Sequence, residues 1–292
     1  MSRVKISNPF LDSNEPDFLS HFGITCTKEI CQYFNDVKFV CMSGSHGRIQ
    51  LYAETFHREA RICLSENLSK TDRYVMYKTG PVLWVNHGMG IPSLSIMLNE
   101  LIKLLYYAEA TDVTFIRVGT SGGIGVEPGT VVVSSGVLNE LLEPVLILHV
   151  MGEVIKLDAI LDKNLCDELY EFGKSLCIPL EKGITMSTDD FYEGQARLNG
   201  AFCNYTKSDK NNFLKKLYSM RVRNMEMEGV CFASITHRAG IRGAIVCATF
   251  VDRLNEDLAR KDQAPNIFHE YEMRPFKVVS TYLIEKLECN KN

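Results

Sequence analysis

No CxxC pair occurs among the ten cysteines, which are scattered at Cys26, Cys31, Cys41, Cys63, Cys166, Cys177, Cys203, Cys231, Cys247 and Cys289. A disulfide framework belongs to much shorter secreted chains. Cys41, Cys231 and Cys247 stand inside apolar runs, where a free thiol packs as a small hydrophobe. Reduced thiols and a cytoplasmic location are therefore expected. A basic excess is also missing: 32 Lys and Arg stand against 36 Asp and Glu, a formal charge of −4. That balance speaks against a nucleic-acid coat. It leaves room for a small anionic substrate, which needs only a local cluster of arginines. The opening residues, MSRVKISNPF, hold no apolar core of the signal-peptide kind. No run is long and apolar enough to span a membrane; the longest, around Val145 to Met151, is strand-sized. Neither nucleic acid nor membrane is an expected partner. Internal repeats and low-complexity linkers are absent as well, so the 292 residues are read as one domain, with an N-terminal extension over about residues 1–17.

What is present is alternation. Val37–Met42, Pro81–Val85, Val113–Val118, Thr130–Ser134 and Gly243–Phe250 are short apolar runs of strand length. Ser93–Ala108 carries Leu94, Met97, Leu98, Leu101, Leu104 and Leu105 at helical spacing. Pro92 before it suits a first turn, and Pro275–Leu287 reads as a closing helix. Strands alternating with helices predict an α/β fold with a largely parallel sheet covered on both faces. Ligands of such sheets gather at the carboxyl ends of the strands.

Two strand ends carry anion-binding chemistry. Val37–Met42 runs into Ser43-Gly44-Ser45-His46-Gly47-Arg48. Glycines let backbone N–H groups approach an anion, and Arg48 adds charge. The turn lacks the lysine of a Walker loop and is not GxGxxG, so alone it reads as a plain strand–helix turn. Val113–Val118 places Arg117 among apolar residues, where a guanidinium is costly unless it meets an anion or a carboxylate. Gly119-Thr120-Ser121-Gly122-Gly123 follows. Taken singly, Arg117 is as consistent with a buried structural ion pair; two such turns together favour an oxyanion site without naming the anion.

The run IRVGTSGGIGVEPGTVVVSS (Ile116–Ser135) resembles the nucleoside phosphorylase-I family. GPVLWVNHGMGIPSLSIMLNELIKLLYYA (Gly80–Ala108), DFYEGQARLNGAFCNYT (Asp190–Thr206) and RNMEMEGVCFAS (Arg223–Ser234) are similar to its eukaryotic, uridine-cleaving branch, with FYEGQAR the most specific stretch. The resemblance runs from about His21 to the final helix. It implies a central mixed sheet curled toward a barrel and flanked by helices. It also implies a homodimer in which each active site is completed by the partner subunit. The implied reaction is a reversible pentosyl transfer in pyrimidine salvage: uridine and phosphate give uracil and α-ribose 1-phosphate. Inorganic phosphate is then a co-substrate, and no cofactor or metal is expected.

The resemblance further implies residue roles. Gly44, Arg48, Arg117, Thr120 and, from the partner subunit, Arg73 match the phosphate positions. Arg73 lies in Thr71-Asp72-Arg73-Tyr74, which read alone is a solvated loop. Phe191, Gln195 and Arg197 match the base positions. A glutamine amide can donate to a uracil carbonyl and accept from N3–H, an arginine can donate to a carbonyl, and Phe191 can stack on the ring. Two residues apart, Gln195 and Arg197 point the same way if the segment is extended. Glu226, Met227 and Glu228 match the ribose positions, the hydroxyl-binding carboxylate being Glu228. Read alone, the same run suits a helix N-terminus favoured by acidic charge. His21 matches a histidine that reaches the 5′-hydroxyl across the dimer. Arg117, Gln195 and Arg197 are the expected catalytic residues.

Asp252, in Val251-Asp252-Arg253, departs from the family's usual Asn-Arg and is read as fixing Arg253 by an ion pair or hydrogen bond. Asp189 also departs from the family pattern, which has an apolar residue there. Leu258–Ile267 is read as a flap over the base. Three other readings compete. A purine nucleoside phosphorylase would lack the Gln195/Arg197 pair, and a catalytically silent paralogue would have lost a phosphate arginine or Gln195. A hydrolytic nucleosidase would not need the phosphate arginines.

Overall fold

The computed structural model describes residues 2–11, 15–255 and 265–289. The chain divides into two compact units, one of residues 1–117 and 235–243 and one of residues 118–234 and 244–292.

The first unit opens with a one-turn 3-10 helix (Pro9–Leu11) and a minimal antiparallel hairpin, β1 (Phe18–Leu19) and β2 (Ile24–Thr25), followed by α1 (Lys28–Phe34). Then come β3 (Phe39–Ser43), α2 (His46–Ala60), β4 (Met76–Thr79), β5 (Val82–Asn86) and α3 (Gly90–Tyr107). The first residues of β6 (Thr114–Gly123) complete the sheet order β6-β3-β5-β4. β3 is parallel to both neighbours, and β4 is antiparallel to β5. Every residue of β5 is buried, as expected of a strand covered on both faces. The helical stripe read from sequence is the buried face of α3: Leu94, Met97, Leu98, Leu101, Leu104 and Leu105. The described residues of the N-terminal extension are tied to this unit, Ser2 N donating to Asp112 Oδ1 (2.7 Å) and Lys5 N to Ala239 O (2.9 Å).

The second unit contains the rest of β6, β7 (Val131–Leu138), the hairpin β8 (Val145–Val150) and β9 (Glu153–Asp158), α4 (Lys163–Lys174) and β10 (Leu180–Ser187). It continues with α5 (Lys207–Ser219), β11 (Val222–Glu226), the start of α6 (Gly229–Arg238), most of β12 (Arg242–Asp252) and α7 (Pro265–Cys289). The strands run in the order β11-β10-β7-β12-β6, and β6 pairs again with β11 through Gly123 and Gly122 opposite Asn224 and Met225, so five strands close a barrel. β10 is parallel to β7 and β11; β12–β7 and β11–β6 are antiparallel. The sheet is thus mixed, as the resemblance implied, and not largely parallel as alternation alone suggested. Register shifts at Gly183/Ile184 and Ile184/Thr185 give β10 the bends that closure requires.

A chain of polar side chains, buried at Ser134, Thr185 and Asn224, threads the ring. Ser134 Oγ meets Thr185 Oγ1 (2.6 Å), which donates to Asn224 Oδ1 (2.7 Å). Asn224 Nδ2 donates to Ser121 Oγ (3.0 Å), and Ser121 Oγ to Ala248 O (3.2 Å). These five residues belong to β7, β10, β11, β6 and β12 in turn, so four of the barrel's five neighbouring strand pairs are tied through a side chain. Outside, α4 packs on β7 and β10, and α5 on β11.

One further expectation is corrected. The closing helix begins ten residues earlier, and Pro275 lies inside it. There it withholds one N–H from the ladder without ending the helix. Of the Leu258–Ile267 segment, residues 258–264 lie outside the described residues and Pro265 opens α7. Among the described residues, no helix is long and apolar enough to cross a membrane.

All ten thiols are free in the structure, five of them buried, and desolvation raises the pKa of Cys26, Cys31, Cys41 and Cys231. Cys231 is pushed up to about 12 by desolvation, reinforced by the charges of Glu228, Asp189 and Glu226. Only the thiolate reacts readily with disulfide reagents. In the native protein, Cys63, Cys177, Cys203 and Cys289, the exposed thiols, are therefore modified first. Cys41, Cys166, Cys231 and Cys247 follow only on unfolding. Mass mapping after brief labelling checks this; prompt labelling of Cys41 or Cys231 in folded protein contradicts it.

Candidate active site

In the first unit, β3 ends at Ser43 and the chain turns through Gly44 into α2. Ser45 caps the helix, its hydroxyl accepting from Arg48 N (3.3 Å). Arg48, one turn into α2, folds back so that Nη1 donates to the buried Ser43 hydroxyl (3.2 Å). A helix N-terminus, a glycine turn and a guanidinium are thereby gathered at one strand end, an arrangement that favours an anion. Gly44 has a steric reason here: a Cβ at that position would stand 3.1 Å from Gly88 O. The Gly88 turn belongs to the next strand, β5, and His87 N donates to Ser43 O (2.9 Å). Arg117 is opposite Met42 in the adjacent strand and is buried. β3 and β6 thus carry the Gly44 turn and Arg117 on neighbouring strands. Thr120 follows three residues later on β6, partly exposed.

His21 and Arg73 are brought together in this unit. His21 sits in the turn after β1, its side chain 41% exposed. Thr71 Oγ1 donates to His21 O (2.5 Å) and accepts from Arg73 N (3.3 Å). Arg73 itself is exposed. Both residues predicted to serve a neighbour are therefore displayed on one loop pair.

The second unit assembles the other residues. The segment Asp190–Arg197 is a turn, and the extended geometry read from sequence does not occur. Asp190 Oδ2 accepts from Gly194 N (2.9 Å), and Ala196 adopts φ +52°. A side chain at Gly194 would strike Asp190 O, only 2.8 Å from where its Cβ would lie. The turn nevertheless converges the two predicted side chains. Arg197 Nη2 donates to Gln195 Oε1 at 3.3 Å, and Gln195 Nε2 donates to Thr188 Oγ1 at 3.1 Å. Gln195 and Arg197 are 2% and 5% exposed, so the pair is no surface loop. The ring of Phe191 lies under the Arg197 guanidinium, 3.9 Å from centroid to Cζ, a cation–π contact that aligns Arg197.

Arg253 joins this cluster, and sequence reasoning had assigned it only as the partner of Asp252. It is fully buried; Nη2 donates to Gln195 O (2.8 Å) and Nη1 lies 3.5 Å from Gln195 Oε1. Asp252 does something else: its carboxylate accepts from Gly125 N (2.9 Å), Leu254 N (3.1 Å) and Asn255 Nδ2 (2.7 Å), holding the turn after β12. The signal for Arg253 was available, since it directly follows an apolar strand, much as Arg117 stands within one. Thr188 gave no signal. Asp189 places its backbone N–H on Glu140 Oε1; nothing in the structure explains its side chain.

The acidic run after β11 divides its labour. Glu226 caps α6, Oε2 accepting from Glu228 N (3.0 Å) and Oε1 from Gly229 N (2.9 Å). That is the helix-terminus reading of the run. Glu228 is also buried, and Met227 between them is partly exposed. Thr188 N donates to Glu226 O (2.9 Å), so one residue touches both the Gln195 amide and the acidic turn.

Comparison with known proteins gives consistent results. The phosphorylase superfamily matches residues 38–284. The chain is 51% identical to the uridine and thymidine phosphorylase of Caenorhabditis elegans, over 96% of this chain and 95% of that one. A crystal structure of uridine phosphorylase from Schistosoma mansoni in complex with thymidine is similar with a TM-score of 0.93 at 39% identity, covering 97% of this chain and 99% of the other. An inactive uridine phosphorylase B of the same organism is also 39% identical, over 95% of each chain.

Proposed function

The chain belongs to the phosphorylase superfamily, and from that membership we infer the reaction it catalyses: phosphorolysis of uridine to uracil and ribose 1-phosphate, a pentosyl transfer. The observation that carries the reading is the buried Gln195 amide with Arg197 and Arg253 about it. It is a polar edge suited to a pyrimidine that offers O2, N3–H and O4 side by side. Phosphate is held by the Gly44 turn, Arg48, Arg117 and Thr120, with Arg73 supplied by the partner of a homodimer. The ribose hydroxyls meet Glu228, whose backbone is fixed by Glu226, while Met227 gives an apolar wall. His21 of one subunit reaches the 5′-hydroxyl in the other's site. The setting is cytoplasmic pyrimidine salvage.

The mechanism is positioning with preorganised electrostatics. The C1′–N1 bond lengthens, leaving an oxocarbenium-like sugar. A phosphate oxygen approaches C1′ from the opposite face, so its negative charge offsets the growing positive charge and the new bond inverts the anomeric carbon. Electrons of the broken bond pass into the uracil ring. Arg197 and the Gln195 amide stabilise that charge until N1 takes a proton from solvent. No covalent enzyme intermediate and no metal or organic cofactor takes part.

Thymidine is a second substrate on this reading, favoured by the worm relative named for both nucleosides. Catalytic silence, as in the schistosome form B, would be marked by loss of a phosphate arginine or of Gln195, and Arg48, Arg73, Arg117 and Gln195 are all present. The decisive assay follows uracil release from uridine in a metal-chelated buffer with and without inorganic phosphate. Release is expected only with phosphate. Equal release without it would establish a nucleosidase.

A further inference from the structure

The buried face of α3 is apolar except at one position. Glu100 lies among Met97, Leu98, Leu101 and Leu104 and is only 9% exposed. A carboxylate in such a place is costly unless donors surround it. Here the donors come from three consecutive residues of the β1–β2 turn. Glu100 accepts from His21 N (3.0 and 3.1 Å to its two oxygens), Phe22 N (3.2 Å) and the Ser20 hydroxyl (3.3 Å). The shortest contact is to the His21 ring, Nδ1 to Oε1 at 2.6 Å. An ionised carboxylate only accepts, so Nδ1 carries the proton. With the proton at Nδ1, the unprotonated nitrogen of a neutral ring is Nε2, which can then accept.

The rest of the same helix ridge fixes the hairpin's base. Lys103 Nζ pairs with Asp17 (2.6 Å), and the Tyr107 hydroxyl donates to Asp17 Oδ2 (3.1 Å). Cys26 N donates to Asp17 O (2.8 Å), holding the two ends of the hairpin together. Glu100, Lys103 and Tyr107 are three, then four residues apart, one helix face. From the other side, Thr71 holds His21 O (2.5 Å). We propose that Glu100 is a positioning residue of the reaction: it fixes the turn and the Nδ1–H tautomer of His21, so that Nε2 is aimed outward to accept a hydrogen bond from the 5′-hydroxyl of a nucleoside held by the partner subunit. The inference rests on the reading that His21 serves that hydroxyl.

Uridine and 5′-deoxyuridine, which lacks the hydroxyl, separate the two claims. Glu100→Gln keeps the side-chain shape and an oxygen for the backbone donors, but its amide cannot enforce the tautomer. It is expected to lower kcat/KM for uridine about tenfold, mainly through KM, and to leave 5′-deoxyuridine within about twofold. His21→Ala should show the same selectivity, and Glu100→Gln should add nothing in the His21→Ala background. If His21→Ala is selective but Glu100→Gln affects both nucleosides equally, or neither, the positioning role is overturned and the His21 reading stands. If His21→Ala is itself unselective, the 5′-hydroxyl reading falls, and with it the catalytic purpose assigned to Glu100. Nitrogen-15 spectra of the histidine rings in the wild-type enzyme at alkaline pH give a readout free of any folding defect. Protonation of His21 at Nδ1 supports the proposal, and an Nε2–H tautomer overturns it.

Discussion

Replacing Gln195 by leucine lowers kcat/KM for uridine by roughly two to four orders of magnitude. Leucine has a similar volume but neither donates nor accepts, so a desolvated uracil edge loses two partners, each costing roughly 1–3 kcal/mol. The same change leaves Arg197 and Arg253 without the amide oxygen they approach at 3.3 and 3.5 Å, so some loss of stability accompanies it. Gln195→Glu separates the two effects. A carboxylate gives both guanidiniums a stronger acceptor and keeps an oxygen near the Thr188 hydroxyl, so the turn is held at least as firmly. It removes the amide donor and sets negative charge against the uracil carbonyls and the departing anion. The Glu variant is therefore expected to melt no lower than wild type and still to lose most uridine turnover. Steady-state kinetics beside thermal melts with and without phosphate give both readings. Near-normal turnover in either folded variant would remove base recognition from this turn, and with it the main reason for preferring uridine to a purine nucleoside.

The parts legible in the sequence are those in which one physical demand acts alone. α3 announced itself because a helix against an apolar layer needs its stripe at every third or fourth place, and Leu94 to Leu105 supply it. β3 and β5 were legible because both faces are covered and their side chains are nearly all apolar. β10 and β11 were missed for the opposite reason. Thr185 and Asn224 point into the ring and are bonded there, so polar residues occupy inward positions and the alternation that marks a strand is lost. Arg117 stood out as a cation in an apolar run, and Arg253 and Glu100 break apolar elements in the same way. Glu100 went unassigned and Arg253 was given Asp252 as its partner, because burial was visible for them but the true partner was not. The convergence of Gln195 and Arg197 was expected for a mistaken reason. The positive φ of Ala196 and the Asp190–Gly194 bond make a turn that brings them together, and no two-residue periodicity is involved. The family resemblance supplied what spacing could not, above all His21 and Arg73.

Mixing two dead enzymes restores activity if the sites are shared. Arg117→Ala removes a buried guanidinium from the phosphate it is proposed to hold within its own subunit; losing such a charge-assisted partner costs about 2–5 kcal/mol, or roughly 30- to 5,000-fold in kcat/KM. Arg73→Ala removes a guanidinium that is exposed in its own chain, where an arginine ordinarily matters little to stability, and is expected to fall by a comparable factor only because it serves the partner. Neither homodimer then holds an intact site. In a heterodimer, the subunit bearing Arg73→Ala keeps its own Arg117 and receives the intact arginine of its neighbour. The second site gathers both lesions. With equal amounts and free exchange, about half of all dimers are mixed and each has one good site, so close to a quarter of wild-type activity returns. A monomeric site predicts no return, and a dimer with self-contained sites predicts none either. Exchange is verified by tagging one variant and co-purifying the other. Recovery near a quarter, rising with the extent of exchange, places Arg73 in the partner's phosphate site. Proven exchange without recovery confines each site to one chain and removes the reason for the exposure of both Arg73 and His21.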